Sequence, residues 1–191
     1  MRLNLGSGPF HHPGYVNIDH REPADLVFDL EGPWEGKRLP YEDSTVTEIV
    51  ASDFLEHIRD RLGLLQELWR VAAPGCVFKI RVPYRYHDDA IDDPTHVGFF
   101  GHNTFRFFAQ PWWHNNDYGY RGDWDFHSVK MLIHAKHKPR YEQVSTADFL
   151  DFVTSHNNVC FALIVEGKAI KPARERVSSL IQWPAIGFDF G

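Results

Sequence analysis

Up to about position 83, short runs of apolar and β-branched residues alternate with turn residues, at 2–5, 15–19, 25–29, 48–52 and 77–82. Each run is apolar enough to be buried on both faces, which predicts strands of a parallel sheet. Between the last two runs, Leu62, Leu65, Leu68, Trp69 and Ala72 recur at helical spacing, and Pro74-Gly75 is expected to end that helix before the next strand. The order strand, helix, strand is a βαβ crossover. The pattern therefore predicts an α/β, Rossmann-like fold with a mostly parallel sheet, helices on both faces and a shortened first crossover.

Beyond position 83 the pattern changes. An Asp- and His-rich loop is expected at 87–96, a short aromatic helix at 104–109, a strand at 126–136, a helix at 146–156 and a last strand at 159–166. The chain, 1–191, is read as a single domain with an aromatic and His-rich insertion at about 84–128 and a C-terminal tail at about 168–191. The tail carries a basic stretch, then Leu180, Ile181, Trp183, Ile186, Phe188 and Phe190. Apolar residues at that density need a cover, so the tail is expected to dock on its own domain or to form a homodimer.

A length of 191 residues at 43% hydrophobic content is enough for one real core. The formal charge of −6 has the wrong sign for a protein that gains affinity by neutralising phosphates, so nucleic acid is disfavoured as a partner. The two cysteines, Cys76 and Cys160, lie within apolar runs. That suits a reducing compartment and predicts no disulfide. No charged leader with an apolar core precedes the first strand and no run reaches membrane-spanning length, so a cytoplasmic protein without a membrane partner is expected.

The chemistry gathers at strand ends. The first strand runs into Gly6-Ser7-Gly8, where the backbone turns with few side chains in the way of a ligand. The second ends at Asp19, and a carboxylate there can accept two hydrogen bonds from a ribose diol. The interval from Gly8 to Asp19 is short for a dinucleotide fold, and the third glycine of that fold is missing. A pyrophosphate needs the helix N-terminus that this arrangement lacks, whereas S-adenosylmethionine carries no phosphate. The sulfonium cofactor is favoured over a nicotinamide one.

An ordered set of motifs carries a resemblance. Leu3-Asn-Leu-Gly-Ser-Gly8, Gly14-Tyr-Val-Asn-Ile-Asp19, Asp29-Leu30, Leu39-Pro-Tyr-Glu-Asp-Ser44, Glu48-Ile-Val-Ala-Ser52, Leu55-Glu-His57, Arg70-Val-Ala-Ala-Pro-Gly75, Asp93-Pro-Thr-His96 and Thr104-Phe-Arg-Phe-Phe108 stand in sequence. Together they resemble the type 11 group of class I S-adenosylmethionine-dependent methyltransferases over roughly the first 108 residues. The resemblance implies that Gly6, Ser7 and Gly8 line the methionine and ribose portion of the cofactor and that Asp19 holds the ribose hydroxyls. Asp29 and Leu30 would sit at adenine, and Ser52 would face the methyl-donating end.

A sulfonium methyl is already activated, so transfer needs chiefly an aligned nucleophile and exclusion of water. Where a base is needed, His57, His96 and Asp53 are the catalytic candidates, with Asp88 behind them. A helix-start role for His57 competes with that assignment. His87, Asp88, Asp89, Asp92, Asp93 and His96 are the most metal-like set, yet they read equally as Asp-capped turns, and no metal is expected. Trp112, Trp113, Tyr118, Tyr120, Trp124 and Phe126 are expected mostly to form a second apolar layer rather than a lid. The expected activity is methyl transfer to an O or N atom of a small-molecule acceptor. RNA, DNA or protein methylation, and a non-catalytic cofactor-binding module, are the alternatives.

Overall fold

The computed structural model describes residues 1–191. Its strands are β1 (Arg2–Leu5), β2 (Val16–Asp19), β3 (Leu26–Val27), β4 (Val46–Ser52), β5 (Ala72–Pro83), β6 (Trp124–Ile133), β7 (Cys160–Ala169) and β8 (Ala185–Phe190). Its α-helices are α1 (Arg61–Val71), α2 (Asp89–Asp92), α3 (Lys138–Tyr141) and α4 (Thr146–Ser155). All eight strands join one sheet in the order β3-β2-β1-β4-β5-β7-β6-β8. Only β7 runs antiparallel to its neighbours, so the sheet is mostly parallel, as the pattern predicts.

One face of the sheet is apolar throughout. Leu3 lies opposite Ile49, Ile49 opposite Phe78, Ile80 opposite Val165 and Val165 opposite Val129. Both long helices cover this face. Helix α1 buries Leu64, Leu65, Leu68 and Val71, and its Leu65 carbonyl accepts the indole N–H of the buried Trp124 at 3.0 Å. Helix α4 buries Phe149 and Val153, and the Phe149 ring meets Phe188, which lies opposite Met131 on the same face. Fully burying one such side chain is worth about 1.5–3 kcal/mol, which is why the helices are held where the apolar stripe continues.

The expectation of helices on both faces, and of strands buried on both sides, is corrected by the register. The second face carries Glu48, Lys79, Lys130, Glu166 and Lys168, paired at the surface as Lys79 with Glu48 at 2.9 Å and Lys130 with Asp189 at 3.6 Å. Such pairs solvate a face more than they stabilise it. Residues 6–15 and 20–25 join the first three strands without a helix, so these connections add no helical cover.

Local chemistry sets the element ends. Asp60 caps α1 by accepting the Gly63 amide at 2.9 Å, and Ser145 caps α4 by accepting the Asp148 amide at 3.1 Å. Pro74-Gly75 does not separate helix from strand as expected, because β5 begins at Ala72 directly after α1. The turn is absorbed as an irregularity where pairing jumps from Val46 opposite Ala72 to Glu48 opposite Val77. Strand β3 is shorter than the expected 25–29, because Asp25 turns its carboxylate onto the Asn17 amide at 2.9 Å.

The tail docks on its own chain: β8 pairs in parallel with β6, and Phe188 and Phe190 pack on Tyr141 and Phe149. Of the central aromatics, Tyr120, Trp124 and Phe126 are buried, and Phe126 packs with Phe105 and Phe108 in the second apolar layer. Both cysteines are free and buried. No helix is long and apolar enough to cross a membrane.

Candidate cofactor and acceptor site

Strand order reverses between β1 and β4, and a crevice opens beyond the carboxyl ends of strands at such a point. A cavity of about 480 Å³ lies there. Gly6 follows β1, Asp19 ends β2, Phe28 to Glu31 follow β3, and Asp53 and Phe54 follow β4, with His57, Ile58 and Thr95 closing the far side. The volume falls in the range of small-molecule sites.

The turn after β1 depends on glycine at two positions. Gly6 has φ +59°, and a Cβ there would collide with the Phe54 ring. Gly8 has φ +49°, faces open space and donates its amide to Asp19 Oδ2 at 2.9 Å. The other carboxylate oxygen, Oδ1, accepts the Arg21 amide at 3.3 Å and lies 3.0 Å from His20 Nδ1. Asp19 is thereby held, largely buried, at the cavity wall. Glu31 lies beyond it. Burial acts to raise its carboxyl, but the amides of Arg59, Asp60 and Gly32 outweigh that and hold it below the usual carboxylate range.

A second cavity of about 410 Å³ adjoins the first, and Asp53 and His57 line both. Its wall includes Glu56, Arg81, Asp92, Asp93 and His96. Asp53 is exposed, has φ +49° and is ion-paired with Arg81. Glu56 is 1% exposed, and neither of its carboxylate oxygens has a hydrogen-bond partner. Burial, with the charges of Asp53 and Asp93 adding to it, pushes its carboxyl up to about 7. The backbone carbonyl of Glu56 accepts the amides of Val97 at 2.8 Å and Gly98 at 2.9 Å, which folds the Asp93 to His96 turn over it.

Of the residues singled out from sequence, Gly6, Asp19, Asp29, Leu30, Asp53 and His57 meet in the first cavity, and His96 joins Asp53 and His57 in the second. Ser7 lies beneath the turn, its hydroxyl buried without a partner, and does not line the cavity. Gly8 reaches the site only through Asp19, and Ser52 is exposed outside both cavities. Asp88 is drawn away, donating its amide to Asn158 and accepting from its side chain. Glu56, Phe28, Glu31 and Thr95 were not anticipated from the sequence. The Leu55-Glu56-His57 motif held the one available signal for Glu56, an acid set between residues that turn inward.

The lining suits the adenosyl cofactor that the motifs imply. Asp19, Asp29, Glu31 and Asp53 make the first cavity acidic, which favours a sulfonium and opposes a pyrophosphate. Phe28 offers a ring beside Asp29 and Leu30, the positions expected at adenine. The glycine turn leaves open space at Gly8.

No family model and no curated protein matches the chain. Solved structures do match in fold. An S-adenosylmethionine-dependent methyltransferase from Archaeoglobus fulgidus aligns at TM-score 0.51 and 14% identity, over 87% of this chain and 85% of its own. One from Methanosarcina mazei aligns at TM-score 0.51 and 15% identity, over 88% and 92%. The YcgJ protein from Bacillus subtilis aligns at TM-score 0.51 and 14% identity, over 89% and 92%. The fold is that of class I S-adenosylmethionine-dependent methyltransferases.

Proposed function

We propose that this chain is an S-adenosylmethionine-dependent methyltransferase acting on an O or N atom of a small acceptor, in the cytoplasm. The observation that carries the reading is the acidic cavity at the strand reversal, with Asp19 fixed on the Gly8 amide at its wall. In this reading Asp19 accepts the ribose hydroxyls, Asp29 accepts the adenine amino group, and Phe28 and Leu30 pack on the ring. The bound cofactor supplies an activated methyl group. The type 11 assignment rests on the ordered motifs of the first 108 residues.

The residues of the chain contribute orientation and proton handling. The second cavity, joined to the first at Asp53 and His57, is the natural seat of the acceptor. His57 and His96 lie at its wall, and either can take a proton from an acceptor hydroxyl or ammonium. The charge of the pocket again favours a cationic or neutral acceptor over a phosphate-rich one.

Calorimetric titration with S-adenosylhomocysteine and NAD separates the cofactor readings. Saturable binding of the first with none of the second is expected, and the reverse result overturns the proposal. Turnover of methyl-labelled cofactor against fractionated metabolite extracts then tests for catalysis. Binding without transfer to any fraction would leave a cofactor-binding module in place of an enzyme.

A further inference from the structure

Glu56, His57 and His96 each present a ligand atom, and these atoms lie within 4.8 Å of one another. Their surroundings prepare them as donors. Thr95 gives its hydroxyl to Asp93 Oδ1 at 2.6 Å and its amide to the same oxygen at 2.8 Å. Its hydroxyl oxygen, 3.0 Å from His57 Nδ1, is therefore left to accept, so Nδ1 carries the proton and Nε2 keeps a bare lone pair. His96 Nδ1 lies 3.2 Å from the Ala90 carbonyl, which can only accept, so Nδ1 carries the proton, and Nε2, 3.7 Å from Asp93 Oδ2, makes no hydrogen bond. Glu56 adds a buried carboxylate with no partner for either oxygen.

Imidazoles whose far nitrogens are anchored by a carbonyl or a hydroxyl–carboxylate relay are oriented in the way metal-ligating histidines are. A buried carboxylate without donors is costly unless a proton or a cation completes it, and a cation also satisfies the two histidines beside it. Asp53, Asp89, Asp92 and Asp93 line the same cavity, against the single Arg81. We propose that Glu56, His57 and His96 bind a divalent first-row transition-metal ion, such as Zn2+ or Mn2+, at the wall of the second cavity. Two imidazoles and one carboxylate suit that class rather than Mg2+, which prefers oxygen ligands. Ligands sharing one ion at about 2.1 Å stand about 3–3.5 Å apart, a separation that small side-chain rotations reach from here.

The site departs from the metal-free expectation, and its ligand set also differs from the loop singled out at 87–96. Only His96 of that loop takes part, and His87 instead pairs with His134, Nε2 to Nε2, at 3.1 Å. Three protein ligands leave coordination positions open toward the cavity, where an acceptor oxygen could be held and its proton loosened, a role that replaces proton abstraction by His57 or His96 when the ion is bound. That use rests on the methyltransferase reading, whereas the binding of the ion does not.

The test uses untagged protein stripped with a chelator and desalted. Co2+ titration followed by visible absorption, and Zn2+ or Mn2+ content after gel filtration, read the site without any activity measurement. One equivalent per chain is expected. Glu56→Gln and His96→Gln should each weaken binding at least tenfold, and Thr95→Val, which frees His57, about tenfold. Thermal unfolding of the stripped proteins identifies any variant that fails to fold, and His96→Gln, on a half-buried loop, keeps the test intact if Glu56→Gln does not. A His87→Gln/His134→Gln double variant should bind as the parent does. Absence of uptake, or uptake that survives both Glu56→Gln and His96→Gln but is lost in the double variant, overturns the proposal.

Discussion

Asp19 Oδ2 accepts the Gly8 amide at 2.9 Å, so the carboxylate that ends β2 is bonded to the turn that ends β1. A residue fixed in this way pays little entropy when a ligand arrives. Asp19→Ala should weaken S-adenosylhomocysteine binding about 100-fold or more, since two hydrogen bonds to a charged group are worth about 1.5–3 kcal/mol each. Calorimetry measures it, and near-parental affinity would count against the assignment of the ribose site.

Gly6→Ala should destabilise the fold as well as the site. The new methyl would occupy the place of the Phe54 ring at a backbone φ of +59°. A cost of about 2 kcal/mol or more is expected, a fall in Tm of about 4–8 °C. Gly8→Ala meets open space, so its loss of stability should be the smaller of the two in the same thermal scan.

An ion pair with a buried aspartate ties the C-terminal tail to the segment before β6. Asp123 is fully buried, accepts the Gln110 amide at 3.1 Å, and binds Arg174 through the backbone amide at 2.8 Å, Nε at 2.9 Å and Nη2 at 2.8 Å. Replacing one partner leaves the other unpaired, so Asp123→Ala should cost about 3–5 kcal/mol. Denaturant unfolding would show it as a lower midpoint, and an unchanged midpoint would refute it.

His102 gives the stability a pH dependence. Burial, then the charges of Arg85 and Arg106, hold its imidazole below the ordinary value of 6.5. Its Nδ1 is buried without a partner. The unfolded chain takes up a proton as the pH falls past about 6.5 while the native chain resists. The stability is therefore complete above that value and is lost as the pH drops toward the depressed native one. His134 and His137 shift in the same direction. The raised carboxyl of Glu56 acts the other way over the same range, favouring the native chain as the pH falls, so the His102 contribution is read by difference: between pH 7 and pH 5.5, Tm of His102→Gln should fall less, or rise more, than that of the parent.

The parts legible in the sequence are those that local chemistry decides. Val16 to Asp19 is a β-branched run that ends on an acid, and Gly6 and Gly8 stand where only glycine turns without strain, so two strand ends and much of the cavity could be read directly. The inward face of α1 followed from the spacing of its leucines. Three features depended on partners distant in sequence. Glu56 is buried because the amides of Val97 and Gly98 close over its carbonyl. Pro74-Gly75 signals a break, yet pairing with β4 continues past it. Ile186, Phe188 and Phe190 alternate as a strand does, but a dense aromatic tail gives no sign of which sheet edge it will join.

Asp53 and His57 form a common partition between two chambers. Any shift of that partition by an occupant on one side changes the affinity on the other, and thermodynamic reciprocity makes the factor equal in both directions. If the proposed cofactor and acceptor fill the two chambers, they should titrate as a coupled pair, each one's dissociation constant depending on whether the neighbouring chamber is filled.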